Sequence, residues 1–401
     1  MEPGVIERAA SSLRDVRRDF IAAYRPTGAH DRIIHAIEDA AALWSDPDFA
    51  VRRKAQKNSG TFPMAMVQVS LDGLLPSLTT DRLRALIRTE APDLSRSPSL
   101  VGHVIAGNTP LIGWTSVLRA LLIGSASLVK APSSGQGCWL EYLVQTLKIV
   151  APEVAAMISV LFWRGGDERL DRALCGAVDR LAVYGNDRTV RAHEELAKGR
   201  VLGYGHRVST AFVLKGADIR TAAKGLATDV LVYDQGGCLS PHTIFVEGDF
   251  ACALEFGALL SEAMDESVFG HSAVSSSMVR ASKVREAREL CRFSDVDRSW
   301  EGDALRWTTI ASPRIGFRIS PTYGVVHVRP FVRERVFESL DIVKGKLQGA
   351  AIASRSEEDT FQFGVQLSQF GVFYTCAPGE LQAPPFEWRQ NGISVLRSLI
   401  D

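Results

Sequence analysis

Val101-Gly102-His103-Val104-Ile105-Ala106 runs straight into Gly107-Asn108-Thr109-Pro110, and Leu111-Ile112-Gly113-Trp114 follows at once. The first run is apolar and rich in β-branched residues, which predicts a buried strand over 101–106. The Gly-Asn-Thr-Pro turn ends it, and a helix is expected over 111–123. The same alternation then repeats. A strand is expected over 127–130, closed by the small polar turn Ala131-Pro132-Ser133-Ser134-Gly135. Helix 138–150, strand 158–162, helix 169–175, strand 180–184 and helix 188–198 follow. Alternating strands and helices with short connections predict a parallel sheet covered by helices on both faces. Such sheets bind ligands at the carboxyl ends of their strands. That rule gathers Asn108, Lys130 with its turn, and Gly185-Asn186-Asp187 around one crevice.

Upstream, the first ninety residues read as helical. Ile33, Ile34, Ile37, Ala40, Ala41 and Leu43 recur near the 3.6-residue period among charged residues. Pro92 and the serine-rich stretch 95–99 mark a boundary. Downstream, a second α/β block opens near Val208, with strand 209–214 and helix 219–233. The turn Asp234-Gln235-Gly236-Gly237-Cys238 follows, then strand 242–246 and helix 251–264. Further strands are expected over 307–310, 324–328 and 371–375, before a Gly/Pro-rich stretch at 377–385. No internal repeat is visible.

Composition narrows the function classes. The 46 basic and 46 acidic side chains cancel, so bulk charge gives no reason to expect nucleic acid or an anionic membrane surface as a partner. At 401 residues, the chain can bury a large core without disulfides or structural metals. Its six cysteines, at 138, 175, 238, 252, 291 and 376, form no C-x-x-C pair. They fit neither a zinc site nor a secreted disulfide framework. The N-terminus lacks an apolar h-region, and Glu7, Asp15 and Asp19 oppose a mitochondrial transit peptide. The longest apolar run, Val154 to Trp163, is too short to span a bilayer. A cytoplasmic protein with mostly buried, reduced thiols is expected.

Cys238 is the strongest candidate for chemistry. Two glycines precede it at a helix-to-strand turn, which suits close backbone approach and points the thiol toward a cleft. A thiolate is a good nucleophile at neutral pH; a packed core cysteine is the plain alternative. His242 follows four residues later. On a strand, that offset places it about 13 Å from Cys238 at a rise of about 3.3 Å per residue, so the two are not expected to pair. Asn108, between strand and helix, can donate to an oxyanion or cap the helix. Lys130 ends a strand where a nucleotide would lie, although no G-x-G-x-x-G or Walker A sequence accompanies it. Tyr204 and His206 are expected between strands, as acid–base groups or as packing. No His/Asp/Glu cluster has metal-ligand spacing.

In order and spacing, these pieces resemble the aldehyde dehydrogenase superfamily, and more closely its LuxC-type acyl-CoA reductases, known from bacterial bioluminescence. The resemblance runs from about Leu100 to the C-terminus. It is carried by Ala106-Gly107-Asn108-Thr109-Pro110-Leu111, by Lys130-Ala131-Pro132-Ser133, by Val183-Tyr184-Gly185-Asn186 and by Asp234-Gln235-Gly236-Gly237-Cys238-Leu239-Ser240-Pro241. It implies two Rossmann-like α/β domains with parallel sheets and a cleft between them. Residues 1–207 would form the helical region and cofactor domain, 208–385 the catalytic domain, and 386–401 a C-terminal tail.

By the same resemblance, Cys238 is the nucleophile and Asn108 the oxyanion donor. His206, read from its position and not from the resemblance, is a candidate for proton transfer, with packing or cofactor contact as the alternative. Lys130, Pro132, Ser133, Gly185 and Asn186 would contact the nicotinamide cofactor. Counting back from Cys238, the glutamate base of aldehyde-oxidising members is replaced by Tyr204, which favours thioester reduction over hydrolytic oxidation. Ser133 stands where NAD-preferring members often carry glutamate, which leans toward NADPH, with NADH as the alternative. The tail departs from the usual His-His-Asp, having Arg389-Gln390-Asn391. The implied substrate is a fatty acyl thioester of coenzyme A or acyl carrier protein. Three alternatives stay open: an oxidising NAD-dependent aldehyde dehydrogenase, a CoA-acylating one, and a non-catalytic acyl-binding protein. A homo-oligomer and an aldehyde-accepting partner enzyme are both compatible with the resemblance.

Overall fold

A computed structural model describes residues 1–58, 62–132, 137–270 and 277–401, without the side chains of residues 25–27, 137 and 138. The chain divides into two compact units, Met1–His206 with Pro385–Asp401, and Arg207–Pro384.

Unit 1 opens with helices α1 (Pro3–Ser45), α2 (Ala50–Lys57), α3 (Met64–Leu74) and α4 (Thr80–Glu90). Pro3 at the first turn of α1 is tolerated because that N–H has no intrahelical acceptor. Ile6, Ala10, Leu13, Ile33, Ile37 and Trp44 form its buried stripe. The Trp44 indole packs edge-to-face on Trp114 at 4.8 Å, and its N–H donates to Thr146 Oγ1 at 2.8 Å. Next come β1 (Leu100–Val104), α5 (Ile112–Leu122), β2 (Ala126–Ala131), α6 (Gly137–Val150), α7 (Pro152–Ala155) and β3 (Ile158–Phe162). α8 (Glu168–Ala177), β4 (Arg180–Tyr184), α9 (Asp187–Leu196) and β5 (Arg200–Tyr204) complete the run.

The five strands are parallel in the order β3-β2-β1-β4-β5. Every residue of β1 and β2 is buried, which is why both read as continuous apolar runs instead of alternating ones. The polar exceptions are Ser127 and Lys130 on β2 and His103 on β1. The His103 ring nitrogens meet Ser116 Oγ at 2.7 Å and Ser127 Oγ at 3.2 Å, and burial pushes its pKa down to about 3, so it is a neutral core group. From β1 the chain builds β2 and β3 on one side, then returns to build β4 and β5 on the other. The topological switch therefore lies between β1 and β4, and Asn108 and Gly185 follow those two strands.

The C-terminal segment belongs to this unit. Phe386 is fully buried and donates its N–H to Ser77 Oγ at 2.8 Å. Arg119 donates to the carbonyls of Phe386 and Trp388 at 3.1 and 2.9 Å. Arg389 pairs with the buried Glu90 carboxylate at 2.8 Å. A short helix, Arg397–Ile400, ends the chain.

Unit 2 contains β6 (Val208–Val213), α10 (Ile219–Leu231), β7 (Pro241–Glu247), α11 (Phe250–Glu266), α12 (Met278–Arg292), β8 (Arg298–Glu301), β9 (Thr308–Ala311) and β10 (Val325–Phe331). α13 (Val336–Leu340), β11 (Leu347–Ala353), α14 (Glu357–Gln369) and β12 (Thr375–Cys376) follow. The sheet order is β12-β11-β6-β7-β10-β9-β8, parallel throughout except for β8 against β9. Phe212, Phe245, Phe331 and Phe363 meet ring to ring at its centre, with centroids 5.0 to 6.1 Å apart. Each such ring removed from water is worth about 1.5–3 kcal/mol.

Several expectations change. The strand expected over 371–375 shrinks to Thr375–Cys376, because Gly371 at φ +92° caps α14 and takes up its last carbonyls. The helix expected over 219–233 stops at Leu231 and passes into a tight 3₁₀ turn. Tyr204 does not lie between strands; it is the last residue of β5.

Candidate active site

The turn before Cys238 holds three consecutive non-glycine residues with left-handed backbone, a run no other described segment matches. Tyr233, Asp234 and Gln235 all have left-handed φ, +59°, +54° and +59°. Such a conformation costs about 1–2 kcal/mol per non-glycine residue, so the surroundings must hold it. Asp234 does so through a buried ion pair, receiving Arg280 Nε at 3.1 Å and Nη2 at 3.2 Å, while its carbonyl accepts the Tyr323 N–H. Gln235 is buried and donates to the Pro241 carbonyl at 2.8 Å. The unusual dihedrals thus fall on side-chain-bearing residues, not on the glycine pair. Gly237 serves the other purpose: a Cβ there would stand 2.8 Å from Gln382 Oε1.

Cys238 lies between this turn and β7, on no strand, so the strand-based distance to His242 does not apply. His242 faces elsewhere, its Nδ1 accepting the Ser320 N–H at 3.0 Å. The Cys238 carbonyl receives the Ser209 hydroxyl at 2.8 Å, and Ser209 Oγ in turn accepts the Gly349 N–H. Gln382 Nε2 reaches Ser240 Oγ and the Asp229 carbonyl, each at 3.2 Å. Asp229 is fully buried and accepts the N–H groups of Gly379 and Leu381 at 2.7 and 3.0 Å, which fixes the segment carrying Gln382. The Cys238 side chain is itself half-buried. Burial pushes its thiol up to about 12, opposed by its own backbone and by the Arg207 charge. The resting thiol is therefore protonated at neutral pH, where the sequence suggested a thiolate: one arginine does not offset the desolvation.

In unit 1, the sheet brings Asn108, Lys130, Pro132, Gly185 and Asn186 to the carboxyl ends of the adjacent strands β1, β2 and β4. Asn108 is exposed in the turn between β1 and α5. Lys130 is buried at the end of β2, and burial pulls its pKa down against the pull of Asp171. Its ammonium has no hydrogen-bond partner among the described residues, so a polar ligand group at this strand end would satisfy it. That observation fits a dinucleotide there. Asn186 caps α9, its Oδ1 accepting the Thr189 N–H at 2.9 Å. Ser133 lies outside the described residues. His206 is exposed, and its backbone N–H donates to Asp187 Oδ1 at 2.9 Å.

Tyr204 is buried, stacked on Tyr184 with centroids 4.4 Å apart and rings 8° from parallel, and hydrogen-bonded to both Tyr184 and Arg119. Burial raises its pKa, so it remains a neutral phenol. Sequence reasoning missed Ser209, Asp229, Asp234 with Arg280, and Gln382. Of these, only Asp234 carries a local signal, because it stands inside the turn.

A profile of the acyl-CoA reductase (LuxC) family matches residues 28–401. The chain belongs to that family. Among curated relatives, this LuxC-family chain is 32% identical over 152 residues to long-chain acyl-protein thioester reductase 2 of Photobacterium leiognathi, a match covering 37% of the chain and 32% of that protein. It is 24% identical over 257 residues to the long-chain acyl-protein thioester reductase of Photobacterium phosphoreum, covering 60% of the chain and 51% of that protein. The matched part thus spans about a third to a half of the length of these relatives. Among solved structures, it resembles an NAD-dependent benzaldehyde dehydrogenase from Corynebacterium glutamicum, with TM-score 0.71, 16% identity, 98% of the chain and 88% of the other. A putative aldehyde dehydrogenase PutA from Anabaena variabilis gives TM-score 0.70 at 17% identity, covering 94% and 84%. The LuxC-family chain therefore has the aldehyde dehydrogenase fold. Among its described residues, no helix is long and apolar enough to cross a membrane.

Proposed function

We propose that the protein reduces a long-chain acyl thioester to the aldehyde, using NADPH or NADH and a covalent thioacyl intermediate on Cys238. One observation carries the proposal: the braced left-handed turn that sets a half-buried thiol just before β7, in a chain of the LuxC family. In this reading unit 1 is the cofactor half and unit 2 the catalytic half. The Cys238 sulfur attacks the thioester carbonyl, the carbon–sulfur bond to the carrier breaks, and the Cys238 proton leaves on the carrier thiol. This balance needs no separate base for the net step, which agrees with a thiol that rests protonated. Asn108 is assigned the oxyanion; one such donor is typically worth about 2.7–4 kcal/mol of transition-state stabilisation.

Lys130, with Pro132, Ser133, Gly185 and Asn186, would hold the cofactor, which when bound supplies the hydride that takes the thioacyl group to the aldehyde level. His206 is assigned to proton transfer. Tyr204, a buried stacked phenol where aldehyde-oxidising relatives carry a carboxylate, supports reduction over hydrolytic oxidation. The carrier is coenzyme A or acyl carrier protein, and the reduced thiols fit a cytoplasmic setting. A homo-oligomer or a partner that accepts the aldehyde remains part of the proposal.

Replacing Cys238 by Ala is expected to abolish aldehyde formation from palmitoyl-CoA while NADPH still binds, measured by fluorescence titration. Aldehyde production at the wild-type rate by this variant would remove Cys238 from the mechanism.

A further inference from the structure

We propose that unit 2 carries a phosphate-binding cleft, formed by Arg314, Arg318 and Arg329 on the α12-covered face of its sheet, that takes a phosphate-bearing ligand. The cleft has a volume of about 600 Å3. Strand alternation along β10 puts His327 and Arg329 on the same face as Val325, which packs with Val284 and Cys291 of α12. Arg314 and Arg318 reach the cleft from the segment after β9.

The charges do not balance. The three guanidiniums meet one carboxylate, Asp297, which lies 3.5 Å from Arg314; Lys283 is already answered by Glu286 at 3.2 Å. Arg329 is 8% exposed. Its Nη1 donates to the Gly316 carbonyl at 2.6 Å, and its Nε has no partner among the described residues. Burial, with repulsion from Arg318 and Arg314, pushes the Arg329 pKa down to about 10. A buried cation held among like charges is costly unless an anion joins it.

The chemistry of the site selects phosphate. Guanidinium forks match phosphate oxygens two at a time. His327 is buried and held neutral, pushed down to about 3, with no hydrogen bond to a described residue, so its ring can donate one N–H without adding charge. At the rim, Leu290, Phe293 and Ile319 are exposed apolar groups, which suits a phosphate carrying an organic moiety. Ser320 also lines the cleft and bonds to Gln235 in the Cys238 turn and to His242 on β7.

The test is calorimetric titration of the full chain with inorganic pyrophosphate, which reads binding without turnover and so is independent of the reductase reading. Arg318→Gln and Arg314→Gln, both at exposed positions, are compared with Lys130→Met, which removes the buried ammonium at the end of β2 in unit 1. Single-site binding weakened about tenfold or more, about 1.4 kcal/mol, by each arginine substitution and unchanged in Lys130→Met is the expected result. Melting curves matching wild type establish that the variants fold. Competition then separates the sources: displacement by coenzyme A names the thioester carrier, displacement by NADPH a nucleotide, and displacement by orthophosphate alone a free anion. No binding up to about 10 mM pyrophosphate, or equal affinity in wild type and both arginine variants, overturns the proposal.

Discussion

Cys238 illustrates how far a side chain's identity is from its reactivity. Its thiol is raised to about 12 by burial, and Cys175 to about 11, whereas Cys252 is exposed. The charged form of a thiol is the thiolate, so a raised pKa means that reactivity is missing at neutral pH and grows as pH rises. Alkylation of Cys238 by iodoacetamide, followed site by site by mass spectrometry, should therefore accelerate about tenfold per pH unit from pH 7 to pH 10. A rate that levels off near pH 7 would show a thiolate in the resting protein and contradict this environment. The glycine pair signalled a turn at Cys238, but the strain sits on Tyr233, Asp234 and Gln235. Nothing in those residue types announces a left-handed backbone; Arg280, 46 positions downstream of Asp234, holds it in place.

Among the elements, those that read clearly were the ones whose inward residues are apolar. α12 did not, because its buried positions are Arg280, Val284, Arg288 and Cys291, and two arginines erase the hydrophobic period. Arg288 is spent on carbonyls, donating to Gly302 and Trp307 at 2.8 and 2.9 Å. β11 was hidden for the opposite reason: Leu-Gln-Gly-Ala-Ala-Ile-Ala is too small-residued to look like a strand, yet all seven positions are buried. Helix α10 carries the further constraint of Asp229, which anchors the segment holding Gln382 against Ser240. Burial raises the Asp229 carboxyl to about 8 against the N–H donors. The folded state then keeps a proton that the unfolded chain releases near 3.8, so stability declines as pH rises from about 4 to about 8. Asp229→Asn removes that slope and also turns one acceptor into a donor facing an N–H. A loss of about 1–3 kcal/mol in urea unfolding at pH 5 is expected. An unchanged midpoint together with an unchanged pH slope would show that this anchor does not matter.

At the scale of the whole chain, unit 1 is built from two separate segments: residues 385–401 return to it after the second unit is complete. Arg389 neutralises Glu90, whose side chain is 3% exposed and also accepts the Leu396 N–H at 2.9 Å. Ending the chain after Pro385 leaves that carboxylate buried and unpaired, and leaves Arg119 without two carbonyls. Because the Arg389 side chain is 55% exposed, the pair is only half-buried, and its loss costs less than the roughly 3–5 kcal/mol typical of a fully buried pair. Guanidinium denaturation of the truncated protein should show the loss in unit 1, monitored through Trp44 and Trp114. A denaturation curve superimposable on that of the full chain would make the tail dispensable.

Periodicity and turn residues placed β1 to β4, the helices between them and the turn that ends in Cys238, because those signals are local: they depend on which faces of a strand or helix are apolar. The motif order also led to the LuxC family. Sequence spacing left other features unassigned: the strained backbone before Cys238, the protonated state of its thiol, the arginines of α12 and the destination of the last seventeen residues. These depend on contacts between residues tens to hundreds of positions apart, as with Asp234 and Arg280 or Arg389 and Glu90. Such contacts set burial and charge pairing, which exist only once the chain has folded.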